Sequence, residues 1–255
     1  MEKPRFEVSH DVIEMVNGEA VKLKCKVTYK NNILFSIGYF NEEGNLHQVN
    51  DKPAYMKFHK NGRLAHISWN ENGFRYRNNS FPAYESYYDT GKLKSQYWYN
   101  DKDELHRVGG PACIKYFSDG VKIRSSIWYT NGKLNRLDGP AHTEYYYQPH
   151  KIMYEHWIKD NMYHRDADVP AIKEYYSDGT FKSKRWYQND KLHRPLDKGP
   201  AVISYKPNGS EEHKYYLNGE SQAYEDKETY IKKIREFSIV DVKKCLTFLE
   251  IINTK

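Results

Sequence analysis

The chain reads as a mainly β protein, an elongated antiparallel ribbon of β-hairpin repeats with a short helical cap at its C-terminus. Three observations predict this. The dipeptide Pro-Ala recurs at Pro53, Pro82, Pro111, Pro140, Pro170 and Pro200, at spacings of 29, 29, 29, 30 and 30 residues. An aromatic follows each proline by five residues (Phe58, Tyr87, Tyr116, Tyr145, Tyr175, Tyr205), and another closes each unit (Trp69, Trp98, Trp128, Trp157, Trp186, Tyr215). Between them lie Asn-Gly and Asp-Gly pairs, the signals of tight hairpin turns. A fixed period of this length marks a repeat architecture, in which each unit buries its apolar surface against its neighbours.

In chain order, residues 1–52 form degenerate N-terminal capping hairpins. The stretch VKLKCKVTY (21–29) alternates, with Val21, Leu23, Cys25, Val27 and Tyr29 facing one way. ILFSIGYF (33–40) follows a KNN turn, and Tyr39 stands 30 residues before Trp69, in register with the closing aromatics. Residues 53–224 hold six tandem hairpin repeats. Each runs from Pro-Ala to a glycine (Gly62, Gly91, Gly120, Gly179, Gly209; Pro149 in the fourth) and back to the aromatic. Asn61-Gly62, Asp119-Gly120, Asp178-Gly179 and Asn208-Gly209 are expected to form type I′ turns. A second turn follows at Asn72-Gly73, Asn131-Gly132 and Asn218-Gly219. Alternation sets Ala112, Ile114 and Tyr116 on a recurring face that packs repeat on repeat, and Cys113, Lys115 and Phe117 on a variable face open to a partner. Residues 225–255 carry Ile231, Ile234 and Phe237 and then Val242, Cys245, Leu246 and Leu249 at helical spacing, a helical segment expected to cover an exposed sheet edge.

Composition fits a thin, half-wet structure. There are 24 Tyr, 10 Phe and 5 Trp in 255 residues, so apolar surface is carried on rings with polar tips. Mean hydropathy is −0.95, yet so many aromatics oppose disorder. Net charge is +6, from 40 basic against 34 acidic residues, a mixed surface rather than a polybasic tail. The three cysteines, Cys25, Cys113 and Cys245, are too far apart for a disulfide framework or a Cys-x-x-Cys zinc pair. No signal peptide or membrane-spanning segment is evident, which places the protein inside a cell or a virion.

The recurring "WYTNGKLNRLDGPA" (128–141) and "WYQNDKLHRPLDKGPA" (186–201) resemble MORN-type repeats, in a longer, diverged form like that of repeat proteins abundant in giant DNA viruses and some bacteria. The resemblance covers residues 40–224. It implies a non-enzymatic scaffold or adaptor, viral in setting, that binds proteins.

The Leu-His-Arg segment looks like a site. Its copies are read as Leu46-His47-Gln48, Phe74-Arg75-Tyr76, Leu105-His106-Arg107, Leu134-Asn135-Arg136, Tyr163-His164-Arg165 and Leu192-His193-Arg194. A catalytic base needs one site, not six near-copies at the array's own period. The expectation is a structural loop in which Arg136 pairs with Asp138 and Arg194 with Asp197. The alternative is a row that binds anions or an acidic partner through His106, Arg107, Arg136, His164, Arg165, His193 and Arg194, joined by Lys182, Lys184 and Arg185 of the basic aromatic stretch KSKRWYQNDKLHR. No catalytic constellation, cofactor motif or metal-ligand spacing is present in the sequence, and none is expected. A protein partner is expected first, bound through one ribbon face or the C-terminal helix. Nucleic acid or anionic lipid comes second, and self-association through a ribbon edge is a further expectation.

Overall fold

The computed structural model describes residues 5–78 and 81–222. The chain is mainly β: strands make up 51% of the described residues, and sixteen of them belong to one large antiparallel sheet. Among the described residues there is no α-helix, only a 3-10 turn at Leu196–Lys198, and no helix long and apolar enough to cross a membrane. The helical segment expected over 225–255 lies outside the described residues. The chain divides into two compact units, one of residues 1–161 with 177–179, the other of 162–176 with the residues from 180 onward.

The first unit opens with three long strands, β1 (Arg5–Val16), β2 (Glu19–Lys30) and β3 (Ile33–Phe40), paired in order. β1 lies within the region 1–52 expected to form capping hairpins, ahead of the alternating stretch that begins at residue 21. Beyond β3 come shorter main hairpins, Tyr55–Phe58 with Leu64–Ser68, Tyr84–Tyr87 with Leu93–Tyr97, Cys113–Tyr116 with Ile123–Ile127, and His142–Tyr145 with Ile152–His156. The second unit repeats the form with Ile172–Tyr175 against Phe181–Arg185, then Val202–Tyr205 against Glu211–Leu217.

The turns divide into two kinds. At the main hairpin tips that carry a glycine only the glycine has positive φ, as at Gly62 (φ 80); in the fourth, which lacks one, His150 (φ 57) takes that conformation. At the Gly62 tip His59 N donates to Arg63 O and Gly62 N to His59 O, a type I turn followed by a glycine bulge. The expected type I′ geometry is therefore absent from these tips. It occurs at the second set of turns, where both residues have positive φ: Asn72 (47) with Gly73 (90), and Asn131 (48) with Gly132 (75). These close short two-stranded hairpins such as Tyr129–Thr130 with Lys133–Leu134, absent from the sequence reading as strands.

The core is a row of small and large residues. Ala54, Ala83, Ala112, Ala141, Ala171 and Ala201 are completely buried. Trp69, Trp98, Trp128 and Trp186 each donate their main-chain N–H to the alanine carbonyl of the next period. One step inward, Tyr97, Cys113 and Ile127 pair across three strands, so Ala112 stands between Trp98 and Trp128. A side chain larger than a methyl there would displace an indole, which is the physical reason for the alanine. Tyr39 joins the same row, donating to Ala54 O.

The face expected to be free is covered in part. Cys113, Ile127, Ile172 and Val202 are buried on it and Lys115 is exposed, while the recurring face runs from the fully buried Ala112 to the half-buried Ile114 and Tyr116. Tyr99 and Tyr129, which lead into the second turns, carry the Cys113 thiol as an electrostatic neighbour. Burial pushes that thiol up to about 11.

Candidate functional site: the clasp on the inter-repeat loops

The Leu-His-Arg loops are built from three recurring contacts. The first is a stacked arginine. The guanidinium carbon lies 3.9 Å from the ring centroid in Arg77 over Trp69, Arg107 over Trp98 and Arg136 over Trp128, and 4.0 Å in Arg194 over Trp186. The second is a hydrogen bond from the same guanidinium to the proline carbonyl of the following Pro-Ala. Arg107 Nη1 reaches Pro111 O at 3.3 Å, Arg136 reaches Pro140 O at 3.4 Å, Arg165 reaches Pro170 O at 3.1 Å and Arg194 reaches Pro200 O at 3.1 Å. The chain thus folds back so that arginine, tryptophan and Pro-Ala close on one another.

This contact corrects the alignment of the second loop. Arg77, not Tyr76, takes the arginine place, with its Nη1 3.5 Å from Pro82 O. The loop reads Arg75-Tyr76-Arg77, so the arginine is kept and a tyrosine stands for the histidine. Tyr76 N donates to Trp69 O just as Asn135 N does to Trp128 O and His193 N to Trp186 O.

Carboxylates complete the clasp in some copies. Arg136 pairs with Asp138 at 2.8 Å as expected. Arg194 does not pair with Asp197. It takes Asp168, from the loop before, through two bonds of 2.7 and 2.9 Å. Arg77 does the same with Asp51, at 2.6 and 2.8 Å. Such forked pairs favour the ionised carboxylate. The arginine hydrogen bond holds Asp51, Asp138 and Asp168 below the usual carboxylate range. Desolvation against Trp98 is the main cause that lowers Arg107.

The third contact belongs to the histidines. His106 Nδ1 accepts the main-chain N–H of Asn131 at 3.2 Å, His164 that of Asn189 at 3.3 Å, His193 that of Asn218 at 3.2 Å and His47 that of Asn72 at 3.1 Å. Each histidine holds the next short hairpin. Asn135, where histidine is missing, offers Oδ1 to Asp160 N at 3.4 Å. An acceptor of the right reach is what the position requires, which explains the exchange. With Nδ1 accepting, His164 is free to donate from Nε2 to Asp166 at 3.0 Å.

The remaining candidates lie elsewhere. Lys182, Lys184 and Arg185 sit on the Phe181–Arg185 strand, not on the loops. Lys182 is exposed. Lys184 Nζ stands 3.8 Å from the Phe181 ring centroid, and Arg185 pairs with Glu174 at 3.1 Å. The ten basic candidates are therefore not gathered into one site. His106, Arg107 and Arg136 belong to the first unit and the other seven to the second.

One polar cluster was not legible in the sequence. Ser125 Oγ lies 3.0 Å from His142 Nε2, Glu144 Oε2 lies 3.5 Å from that same nitrogen, and Arg124 donates to Glu144 at 3.0 Å. Burial alone would raise Glu144; the His142, Arg124 and Ser125 hydrogen bonds overcome it and bring the carboxyl down to about 2. The residue types suggest a nucleophile, base and acid. The geometry does not relay a proton, because serine and glutamate meet one ring nitrogen instead of opposite ones. No signal could have found the cluster, since only the cross-strand register Ser125↔Glu144 and Ile127↔His142 joins it. Among the described residues no group of three His, Cys, Asp or Glu side chains is placed to hold a metal. Comparison of the chain with protein-family models, with curated protein sequences and with solved structures returns no match.

Proposed function

We propose that the chain is a non-enzymatic repeat scaffold, built of MORN-like hairpins, that binds a protein partner inside a cell or a virion. The observation that carries this reading is a set of exposed apolar side chains on the clasped loops of the first unit. Phe81 is 52% exposed, Val108 73% and Leu137 79%. They follow Arg77, Arg107 and Arg136, each anchored on a tryptophan ring, and Arg77 also lies 4.9 Å from the Phe81 ring centroid. Apolar residues presented on fixed loops lose little entropy on docking, which favours a protein interface.

The test is affinity capture from the native cell or particle with the wild-type chain and with a Phe81→Ser, Val108→Ser, Leu137→Ser triple variant. The three side chains are exposed, so the variant should keep its circular dichroism spectrum. The expected result is a protein retained by the wild type and lost by the variant. Equal capture, or none, overturns the reading. The alternative, a nucleic-acid or anionic-surface binder, is supported by the exposed Lys182 and by unpaired lysines such as Lys30 and Lys60, which have no carboxylate partner among the described residues. It requires binding to RNA, DNA or anionic vesicles that falls steeply with log salt.

A further inference from the structure

β1 stands at the end of the strand order and has β2 as its single strand neighbour among the described residues. It is twelve residues long, about twice the usual strand, and exposed throughout Arg5–Asp11. Its sequence, RFEVSHDVIEMV, has no proline and no lysine, the residues that blunt a free edge.

The direction of its main-chain groups follows from the turn. Asn17 (φ 51) and Gly18 (φ 88) form a two-residue type I′ turn with Val16 opposite Glu19. The residues flanking such a turn form a hydrogen-bonded pair, and hydrogen-bonded pairs alternate along the ladder. Phe6, Val8, His10, Val12, Glu14 and Val16 therefore turn their N–H and C=O toward β2. Arg5, Glu7, Ser9, Asp11, Ile13 and Met15 turn theirs outward. One contact bears this out: Asn50 Nδ2 donates to Met15 O at 3.0 Å, from the loop that also sets Lys52 on Glu14 at 2.6 Å. That loop occupies the far end of the edge, and no other described strand pairs with Arg5–Ile13 on that side.

We propose that this open edge pairs antiparallel with β1 of a second copy, about a two-fold axis through Val8. A two-fold axis normal to the sheet makes the interface self-complementary and pairs residues of like facing, so paired residue numbers sum to an even value. Charge and access then select the register. Centring the pair on Glu7 sets Glu7 against itself, on Ser9 it sets Glu7 against Asp11 twice, and on Asp11 it sets Asp11 against itself. Centring on His10 or Val12 brings Met15 into the ladder, where Asn50 already holds its carbonyl. Centring on Phe6 pairs, among the described residues, only Arg5 with Glu7 through outward main-chain groups. With Val8 at the axis, Arg5 faces Asp11 twice, Glu7 faces Ser9 twice, Phe6 faces His10 and Val8 faces Val8. All four outward residues from Arg5 to Asp11 then find main-chain partners. Asp11 keeps its Lys22 contact at 3.2 Å on the inner side.

The experiment measures the mass of the full chain by sedimentation equilibrium across the micromolar range. A dimer is expected. Ser9→Pro removes an N–H that only the partner uses, and proline is tolerated on an edge strand in that orientation. Its circular dichroism should match the wild type while dimerisation weakens at least ~10-fold, as loss of main-chain bonds at the centre of the pair demands. Arg5→Glu should weaken the dimer, and adding Asp11→Arg should restore it. In a Cys245→Ser background, Val8→Cys should form a disulfide-linked dimer under mild oxidation. A facing pair that is not hydrogen-bonded has Cα atoms ~4.5 Å apart, inside the disulfide range. Val12→Cys should not cross-link. A monomeric wild type, a dimer indifferent to Ser9→Pro, or cross-linking as ready through Val12→Cys as through Val8→Cys would each overturn the proposal.

Discussion

Gly139 shows what single residues do in the clasp. Its backbone lies outside the left-handed region, so its need for glycine is spatial: a Cβ built there would stand 2.6 Å from the Arg136 guanidinium carbon. Gly110 is in the same position against Arg107, at 3.1 Å. The Gly-Pro-Ala signature thus leaves a space for the arginine that lies on the preceding tryptophan. Gly139→Ala should push Arg136 off Trp128 and away from Pro140 O. The cost is the cation–π contact and one hydrogen bond, together about 1–2 kcal/mol. In an Arg136→Ala background the same substitution should cost nothing, because the group it displaces is gone. Urea unfolding of the two single variants and the double variant checks this. Additive losses would mean that the glycine serves some other purpose.

At the scale of elements, two turns that look alike in sequence do different work. Asp119-Gly120 and Asn131-Gly132 are both turn dipeptides, yet only the second needs positive φ at its first residue. Asn131 is held by backbone conformation, and Asp119 by its side chain, whose Oδ1 accepts from Val121 N and Lys122 N at 3.0 Å each. Asn131→Gly should therefore leave the unfolding midpoint unchanged or raise it slightly, and Asp119→Gly should lower it. Asn131→Ala should cost about 1–2 kcal/mol, the penalty for an ordinary side chain in the left-handed region. Thermal unfolding of the three variants separates the cases; a loss in Asn131→Gly equal to that in Asp119→Gly would show that the turns are equivalent. The sequence could not make this distinction because both dipeptides satisfy either turn. What was legible were the strands and the Trp-Ala row, since periodicity fixes which residues recur. What was hidden was the short hairpin, since Tyr129–Thr130 and Lys133–Leu134 are too brief for alternation to register. The pairing of Arg136 with Asp138 was legible, but that of Arg194 with Asp168 was not. That contact joins two copies of the motif 26 residues apart, and local spacing offered Asp197 instead.

For the molecule as a whole, pH is the variable that reaches many of these contacts together. Six carboxyl groups among the described residues are lowered: Asp51, Asp119, Asp138, Glu144, Asp168 and Glu212. His66 is lowered as well, by burial first and then by Lys57 and His59. In all of these the unfolded chain takes up protons before the folded one does, so acid favours unfolding. His66 starts the decline as pH falls through its unfolded value of 6.5. The carboxylates continue it below their unfolded values, and Glu144 carries it from 4.5 down to about 2. The net charge, already +6 near neutrality, grows as the carboxylates are neutralised, and self-repulsion adds to the loss. Thermal midpoints measured from pH 8 to pH 2 should therefore fall in two limbs, a shallow one beginning near 6.5 and a steeper one below 4.5. His66→Gln should flatten the first limb alone. Glu144→Gln should flatten part of the second and leave the first intact. Stability that rose on acidification, or a second limb indifferent to Glu144→Gln, would show that the Ser125, His142 and Arg124 contacts do not hold that carboxylate in its ionised form.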